Sequence, residues 1–275
     1  MIELKEFSFS YGKTPVFENI DLQFQTGAIY GLLGENGVGK TTMLKAVSGL
    51  LRPTKGSCTV DGRTSFDRNP KFLEQIFLLP DEVPLPENGT PAGFFNSIAD
   101  FYPNHDTQML HHLADEMHID INRKFKEMSF GQQKKSLLAC ALSLNTEYLL
   151  LDEPTNGLDI PSKADFRRIL SERVGEKQTI IISTHQVKDV ENLIDPIIII
   201  SNNNVLLNAS VERITEKLYF EYGGPQRPEA LYSEMMPGGY LNVMPNSGLG
   251  ESQLNIEALF NAVLRNAAMI KNLFA

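Results

Sequence analysis

The sequence predicts an α/β fold with a largely parallel core sheet. Several short apolar runs are continuous rather than alternating, which is typical of strands that are covered on both faces. Helical stretches lie between these runs, as at residues 163–174 and 187–193, and strands that alternate with helices favour a parallel sheet. The apolar runs are residues 28–33, 76–79, 148–151, 180–182 and 197–200.

The chain begins with a different pattern, in which apolar and polar residues alternate. Phe7, Phe9 and Tyr11 alternate with serines, a Gly-Lys turn follows, and a second alternating run covers residues 20–24. Alternation with a period of two indicates strands that have one exposed face. We therefore expect a pair of antiparallel strands at the N-terminus, ahead of the parallel sheet.

A glycine-rich turn joins the apolar run 28–33 to a helical pattern that ends at Pro53. Its residues 34–41 read GENGVGKT and match G-x-x-x-x-G-K-S/T, the phosphate-binding loop. Glycines let successive backbone N–H groups turn towards phosphate oxygens, and the positive end of the following helix adds to the attraction. We expect Lys40 to reach the β- and γ-phosphates and Thr41 to hold a Mg²⁺ ion. The other predicted nucleotide-binding residues of this segment are Asn36, Gly37, Gly39 and Thr42.

Two carboxylates come directly after the apolar run 148–151. Asp152 and Glu153 are therefore expected at the carboxyl end of a buried strand, the edge at which open α/β sheets bind ligands. We expect Asp152 to hold Mg²⁺ and Glu153 to orient and polarise the water that attacks the γ-phosphate. The next strand leads to His185, which we interpret as a phosphate contact rather than as a structural histidine. These residues predict a P-loop nucleoside triphosphatase with Lys40, Glu153 and His185 as catalytic residues.

Two segments interrupt the alternation of strands and helices. Residues 81–127 are richer in proline, asparagine and histidine and indicate a helical insertion, so that a helical subdomain of about 81–140 lies within a nucleotide-binding domain of residues 1–215. Residues 216–275 change character again and predict a small α+β extension, which ends in one helix over 256–274. The apolar stripe of that helix favours attachment to this chain's own core over a contact with a partner.

The composition excludes several classes of protein. The 275 residues are 42% hydrophobic and 21% charged, as in ordinary globular proteins. The net charge of −9 disfavours a nucleic-acid-binding protein, which needs a basic face. No apolar stretch approaches the roughly 18 residues that cross a bilayer, and the N-terminus lacks the pattern of a signal peptide. Two cysteines, Cys58 and Cys140, cannot form a disulfide framework, so we expect a cytoplasmic protein.

Residues 128–132 narrow the choice among ATPases. This segment, MSFGQ, resembles the LSGGQ signature of the ATP-binding-cassette (ABC) ATPases, and residues 154–159, PTNGLD, resemble their D-loop. Tyr11 stands where these proteins place an aromatic residue that stacks on adenine; the alternative is an ordinary strand aromatic. Together with the phosphate loop, the acidic strand end and His185, these motifs identify the chain up to residue 215 as a member of the ABC family.

The resemblance implies a mechanism in which two cassettes close head to tail over two ATP molecules. Each site then takes the phosphate loop and the acidic residues from one chain and the signature, with Ser129, Gly131 and Gln132, from the other; ATP and Mg²⁺ are the implied cofactors. The residues after the signature have helical propensity, so a helix N-terminus would offer N–H groups and the Ser129 hydroxyl to the γ-phosphate.

Two residues depart from the family pattern. Phe130 occupies a signature position that is usually glycine, so its side chain must point away from ATP. Asp81 occupies the place of a glutamine that contacts Mg²⁺ and the permease in relatives. We interpret Asp81 as a metal or water contact.

The resemblance also implies partners. Short matches at residues 101–106, 238–240 and 259–262 resemble ATP-binding subunits of bacterial multidrug- or antibiotic-type exporters. We therefore expect an ATP-hydrolysing subunit, peripheral at the inner face of the cell membrane, that forms a homodimer or a heterodimer with another ATP-binding subunit and drives a separate transmembrane permease. The alternatives are a soluble ABC ATPase acting on ribosomes or DNA, which the single cassette disfavours, and a non-hydrolysing nucleotide switch, which Glu153 and His185 disfavour.

Overall fold

The computed structural model describes residues 1–172 and 178–274, and these ranges form one layered assembly of strands and helices. In chain order, the strands are β1 (Ile2–Tyr11), β2 (Thr14–Phe24), β3 (Ile29–Leu33), β4 (Lys55–Val60), β5 (Arg63–Thr64), β6 (Ile76–Leu79), β7 (Tyr148–Asp152), β8 (Thr179–Thr184), β9 (Ile197–Ser201), β10 (Asn204–Ala209), β11 (Leu218–Gly224), β12 (Tyr232–Met236) and β13 (Gly239–Pro245).

The helices lie between these strands and in the two interrupting segments. They are α1 (Lys40–Val47), α2 (Pro70–Leu73), α3 (Pro91–Ala99), α4 (Thr107–Glu116), α5 (Phe130–Ser143), α6 (Ile160–Ser171), α7 (Val211–Lys217), α8 (Ile256–Arg265) and α9 (Ala267–Phe274). Short 3₁₀ turns cover Ser65–Asp67, Phe125–Glu127 and Val187–Asp189. Within the described residues, no helix combines the length and the apolar character that crossing a membrane requires.

The central sheet has six strands in the order β10-β9-β3-β8-β7-β6. Strand β10 pairs antiparallel with β9, and the other five strands run parallel to one another. Strands β3, β7, β8 and β9 are buried along their whole length, which explains why their sequences are continuous apolar runs. The predicted α/β class with a largely parallel core sheet is confirmed.

A second sheet of four antiparallel strands, β2-β1-β4-β5, is built largely from the N-terminal part of the chain. Strands β1 and β2 pair from Ile2 opposite Phe24 to Tyr11 opposite Thr14, which confirms the predicted antiparallel pair. Phe7, Phe17 and Phe24 are fully buried in the same hydrophobic cluster as the apolar residues of α1. This packing holds the turn between β1 and β2 beside the loop that follows β3.

Helices α3 and α4 follow β6, and α5 packs against both of them. Each helix begins with a capping side chain, because Thr90, Asp106 and Ser129 accept hydrogen bonds from backbone N–H groups in the first turn. Their apolar faces, with Phe95 and Leu110 fully buried, belong to the same core cluster as one face of the central sheet. The structure therefore contains the predicted helical insertion.

Two predicted helices differ in the structure. Helix α6 starts at Ile160 rather than at residue 163 because Asp159 caps it, its Oδ1 accepting from the backbone N of Ser162 at 3.0 Å; Val174 lies outside the described residues. The predicted helix over 187–193 is wrong, since the structure has only a 3₁₀ turn there. Val190, at φ −124° and ψ 3°, leaves helical geometry at the end of that turn.

The C-terminal extension consists of the antiparallel sheet β11-β13-β12 and the helices α8 and α9. The prediction of one helix over 256–274 is wrong, because the chain breaks at Asn266, where φ is −130° and ψ is 39°. The Asn266 side chain donates a hydrogen bond to the carbonyl O of Leu231 at 2.6 Å, so a tertiary contact fixes the break. Leu259 and Ile270 are fully buried in the cluster that includes the central sheet, which confirms that the apolar stripe attaches to the chain's own core.

Candidate functional site

A cavity of about 630 Å³ opens at the carboxyl ends of β3, β7 and β8. These strands are neighbours in the sheet, so the residues that follow them meet at one edge. The end of β1 and the start of β2 form another wall of the cavity. The predicted site residues that line it are Tyr11, Asn36, Gly37, Gly39, Lys40, Thr41, Thr42, Asp81, Asp152, Glu153 and His185.

The phosphate loop connects β3 to α1 and turns sharply at Gly39, which caps the helix with φ +109°. A Cβ at this glycine would lie 2.6 Å from Val16 and 2.8 Å from Phe17, so no larger residue fits the turn. Lys40 follows at the first helical position, only 6% exposed, and its Nζ donates to the carbonyl O of Gly34 at 2.7 Å. The loop therefore holds the Lys40 ammonium where a phosphate-binding loop places the phosphates of a bound nucleotide.

Opposing influences act on the Lys40 ammonium. Burial lowers the pKa of Lys40, and the carboxylate of Glu153, whose Oε1 lies 3.5 Å from Nζ, raises it. A phosphate at this place would likewise favour the charged lysine. The site therefore suits an anionic ligand, which would pair with the Lys40 ammonium.

Asp152 ends β7 with a carboxylate fixed by two hydroxyl groups. The Thr41 hydroxyl donates to Oδ2 at 2.7 Å, and the Ser183 hydroxyl donates to Oδ1. Ser183 stands opposite Asp152 in the β7–β8 pair, so strand register sets this contact. A hydroxyl and a carboxylate oxygen side by side are hard oxygen ligands, and they fit a Mg²⁺ ion.

Glu153 lies one residue beyond β7 and is 8% exposed. Its backbone has φ +46°, a left-handed conformation that is strained for a residue with a side chain. Its Oε1 lies 2.9 Å from Nδ1 of His185, and its Oε2 accepts from the Thr184 hydroxyl at 3.1 Å. The catalytic carboxylate predicted from the sequence is thus held in place from the neighbouring strand β8, and His185 contacts it directly.

Tyr11 lies on the opposite wall, at the end of β1, and is 52% exposed. Its ring packs edge-on against Phe9 with centroids 4.9 Å apart, and its hydroxyl lies 3.4 Å from Oγ1 of Thr42. These contacts fix an accessible aromatic ring at the rim of the cavity. The geometry suits the stacking role that the sequence predicts for Tyr11.

The signature segment, residues 128–132, does not line the cavity. Ser129 caps α5 in a reciprocal pair with Gln132: the backbone N of Gln132 donates to the Ser129 hydroxyl at 3.3 Å, and the backbone N of Ser129 donates to Oε1 of Gln132 at 2.9 Å. The prediction that this segment opens a helix is confirmed. Phe130 covers the D-loop of its own chain so closely that a Cβ on Gly157 would lie 2.4 Å from the ring.

The structure also reveals a polar network that sequence reasoning missed. Lys134 of α5 donates from Nζ to Oδ1 of Asp81 at 2.5 Å and to the carbonyl O of Glu153 at 2.8 Å. Asn156 donates from Nδ2 to Oδ2 of Asp81 at 3.3 Å. A signal was present, since Lys134 shares a helix face with the buried Leu138 and so is a cation on an apolar stripe.

Comparisons with known proteins agree with this geometry. Residues 17–156 match the family model described as ABC transporter. The lantibiotic transport ATP-binding protein SrtF of Streptococcus pyogenes is 30% identical over 237 residues, which are 86% of this chain and 97% of SrtF. The ABC transporter ATP-binding protein YtrB of Bacillus subtilis (strain 168) is 28% identical over 218 residues, which are 79% of this chain and 74% of YtrB.

A solved structure described as the ATP binding subunit of an ABC transporter has the same fold. It matches with a TM-score of 0.72 and 25% identity, over 78% of this chain and 91% of that one. The family match spans the phosphate loop, the start of α5 and the acidic end of β7, which are the segments that build the cavity and the signature. The chain therefore belongs to the ABC transporter family, as an ATP-binding subunit with ATPase activity.

Proposed function

We propose that this subunit hydrolyses ATP between two cassettes and so drives a separate transmembrane permease, in the direction of export. The observation that carries the proposal is the separation of the nucleotide site into two parts. The cavity contains the lysine and the carboxylates, whereas the signature segment lies outside it at the start of α5. A complete site then needs the signature segment of a second chain.

Within one cavity, we assign separate roles to the residues. Lys40 exchanges its carbonyl partners for phosphate oxygens and neutralises their charge. Glu153 accepts a hydrogen bond from the attacking water and orients it, while His185 holds that carboxylate through the 2.9 Å contact with Nδ1. Thr41 and Asp152 are the residues that would hold Mg²⁺, which supplies positive charge to the phosphates.

The start of α5 is suited to the γ-phosphate of a partner's nucleotide. The helix has 14 residues, so its N-terminus carries the positive end of a helix dipole and backbone N–H groups. The Ser129 side chain is exposed, and its hydroxyl accepts from the backbone N of Gln132, which leaves the hydroxyl proton for another acceptor. The partner is a second copy of the chain or another ATP-binding subunit.

A mixing experiment tests the shared site. Chains with Lys40→Ala lack a working cavity, and chains with Gly131→Asp lack a working signature, so each preparation alone is expected to be inactive. A mixed dimer has one intact site, and an equal mixture should recover about a quarter of the wild-type ATPase rate if sites act independently. A mixture no more active than its separate components would contradict a site shared between chains.

Co-isolation tests the proposed permease partner and the proposed place of the protein on the cytoplasmic face of a membrane. SrtF is a lantibiotic transport protein by description, which supports transport as the purpose of hydrolysis. We expect a tagged chain, purified from detergent-solubilised membranes, to bring down one hydrophobic membrane subunit in fixed stoichiometry. Recovery only in the soluble fraction, together with ribosomes or DNA, would favour the alternative of a soluble ABC ATPase.

A further inference from the structure

A buried lysine in the signature helix joins three segments of the chain. Lys134 has a side chain only 7% exposed, and its ammonium contacts Asp81 at 2.5 Å and the carbonyl O of Glu153 at 2.8 Å. Asp81 follows β6 at the entry to the helical insertion, Lys134 lies in α5, and Glu153 follows β7. One cation therefore connects the insertion, the signature helix and the catalytic carboxylate residue.

The ion pair with Asp81 compensates the burial of the Lys134 ammonium. A buried ammonium is destabilising unless it is paired with an opposite charge and hydrogen-bonded. Asp81 supplies the charge, and the carbonyl of Glu153 supplies a second acceptor. Loss of Asp81 would leave the cation in the same place with only neutral partners, the carbonyl of Glu153 and the ring of Phe130.

The second contact of Lys134 falls on a strained peptide. Glu153 has φ +46°, and a non-glycine residue keeps such a conformation only when its surroundings hold it. Lys134 holds the carbonyl of this residue, while the backbone N of Glu153 donates to the carbonyl O of Ser183 at 2.9 Å. The direction of the Glu153 side chain follows from this backbone conformation.

The network continues towards His185. The other Asp81 oxygen accepts from Asn156 of the D-loop at 3.3 Å, and Oδ1 of Asn156 accepts from Nε2 of Gln186 at 2.8 Å. Gln186 is the residue after His185 in the chain. The backbone of Glu153 and the segment that carries His185 are therefore both connected to the Asp81–Lys134 ion pair.

We propose that Asp81 and Lys134 are positioning residues for ATP hydrolysis, which fix the backbone of Glu153 and keep the signature helix in register with it. Asp81 acts through Lys134 and not as a metal ligand. This inference rests on the proposed role of Glu153 in activating water. It gives a function to the residue that stands where relatives have glutamine.

The test compares Asp81→Asn, Lys134→Met and the double variant in steady-state ATPase assays. Each single change should lower kcat about tenfold, because small displacements of a catalytic group are costly, with KM for ATP and half-saturating Mg²⁺ changed less than about twofold. The double variant should be no slower than Lys134→Met, since both changes remove the same pair. Glu82→Gln is the matched control, with the same change of charge one residue away.

Several outcomes would overturn the proposal. Additive losses in the double variant would show that the two residues act independently. A many-fold rise in half-saturating Mg²⁺ for Asp81→Asn would show a metal ligand instead. If Lys134→Met fails to fold, Asp81→Asn decides alone, because Asp81 is 38% exposed and an unchanged kcat there contradicts the proposal. A wild-type chain without ATPase activity would count against the proposed function itself.

Discussion

The cavity and the signature segment are two parts of one predicted site, yet they are held in different ways. Lys40, Asp152 and Glu153 are 6%, 4% and 8% exposed, and each contacts residues from other loops or strands. Ser129 is exposed and forms its capping hydrogen bonds with Gln132 of the same helical turn. Tertiary packing therefore preorganises one part, whereas local capping presents the other part at the surface.

This difference predicts that the two regions serve different steps of the reaction. Changes in the cavity should affect nucleotide binding by a single chain, because all the groups needed for it are assembled there. Changes in the signature segment should spare that binding and affect the steps that need two chains. Three substitutions in the cavity and one in the signature segment test this division.

Lys40→Ala should have the largest effect. In the wild-type chain, ATP at a hundred times Kd stabilises the fold by about 2.7 kcal/mol, which raises Tm by roughly 5–10 °C in a chain of this size. Without the ammonium we expect no shift and no hydrolysis. Thermal melting with and without MgATP measures the shift in Tm. Lys45→Ala serves as the control, because Lys45 lies in the last turn of the same helix. A wild-type Tm that ATP leaves unchanged would end the nucleotide-binding interpretation.

Gly131→Asp should separate binding from turnover. A carboxylate at the start of α5 favours the helix but repels a γ-phosphate, so we expect about 10²–10³-fold slower hydrolysis and an unchanged ATP-dependent shift in Tm. The matched control is Gly93→Asp, which places the same charge in the first turn of α3. Loss of the thermal shift in Gly131→Asp would mean that the signature segment serves nucleotide binding within one chain.

His185→Ala should lower kcat with little change in KM. His185 contacts Oε1 of Glu153 at 2.9 Å, so its loss affects the catalytic carboxylate more than ground-state binding, and we expect about 10²-fold slower turnover. His111→Ala, at an exposed position in α4, is the control. If KM rises and kcat stays constant, the histidine serves only as a phosphate contact.

Tyr11→Ala should have the smallest effect. Stacking of a base on an aromatic ring contributes about 1–3 kcal/mol, so we expect ATP affinity to fall about tenfold. Tyr11→Phe keeps the ring and removes the hydroxyl near Thr42, and it should bind as the wild type does. Calorimetric titration with ATP measures both variants, and equal affinity in Tyr11→Ala would assign the ring to packing alone.

Much of the cavity could be predicted from sequence because its functional residues lie in short contiguous segments of the chain. The phosphate loop is one contiguous segment after a buried strand, and Asp152 and Glu153 end another. Parallel strands bring their carboxyl ends to one edge whatever the details of packing. Both the residues and their meeting place therefore followed from short patterns.

The remaining features depend on contacts between distant segments. Asn266 ends α8 while its side chain bonds to Leu231, and an apolar stripe alone gives no sign of that break. The Asp81–Lys134 pair joins residues 53 positions apart, so no local sequence pattern links one residue to the other. The role of Asp81 as a metal ligand stays a prediction that competes with this ion pair.

Two chains should complete the site around ATP, and sedimentation of Glu153→Gln tests this most directly. This variant keeps the phosphate-binding groups and loses the carboxylate that activates water, so ATP should hold two chains together. We predict a monomer without nucleotide, a dimer with MgATP, and a monomer again when Gly131→Asp is added. A Glu153→Gln chain that binds ATP and still sediments as a monomer would contradict a site that two copies of the chain complete.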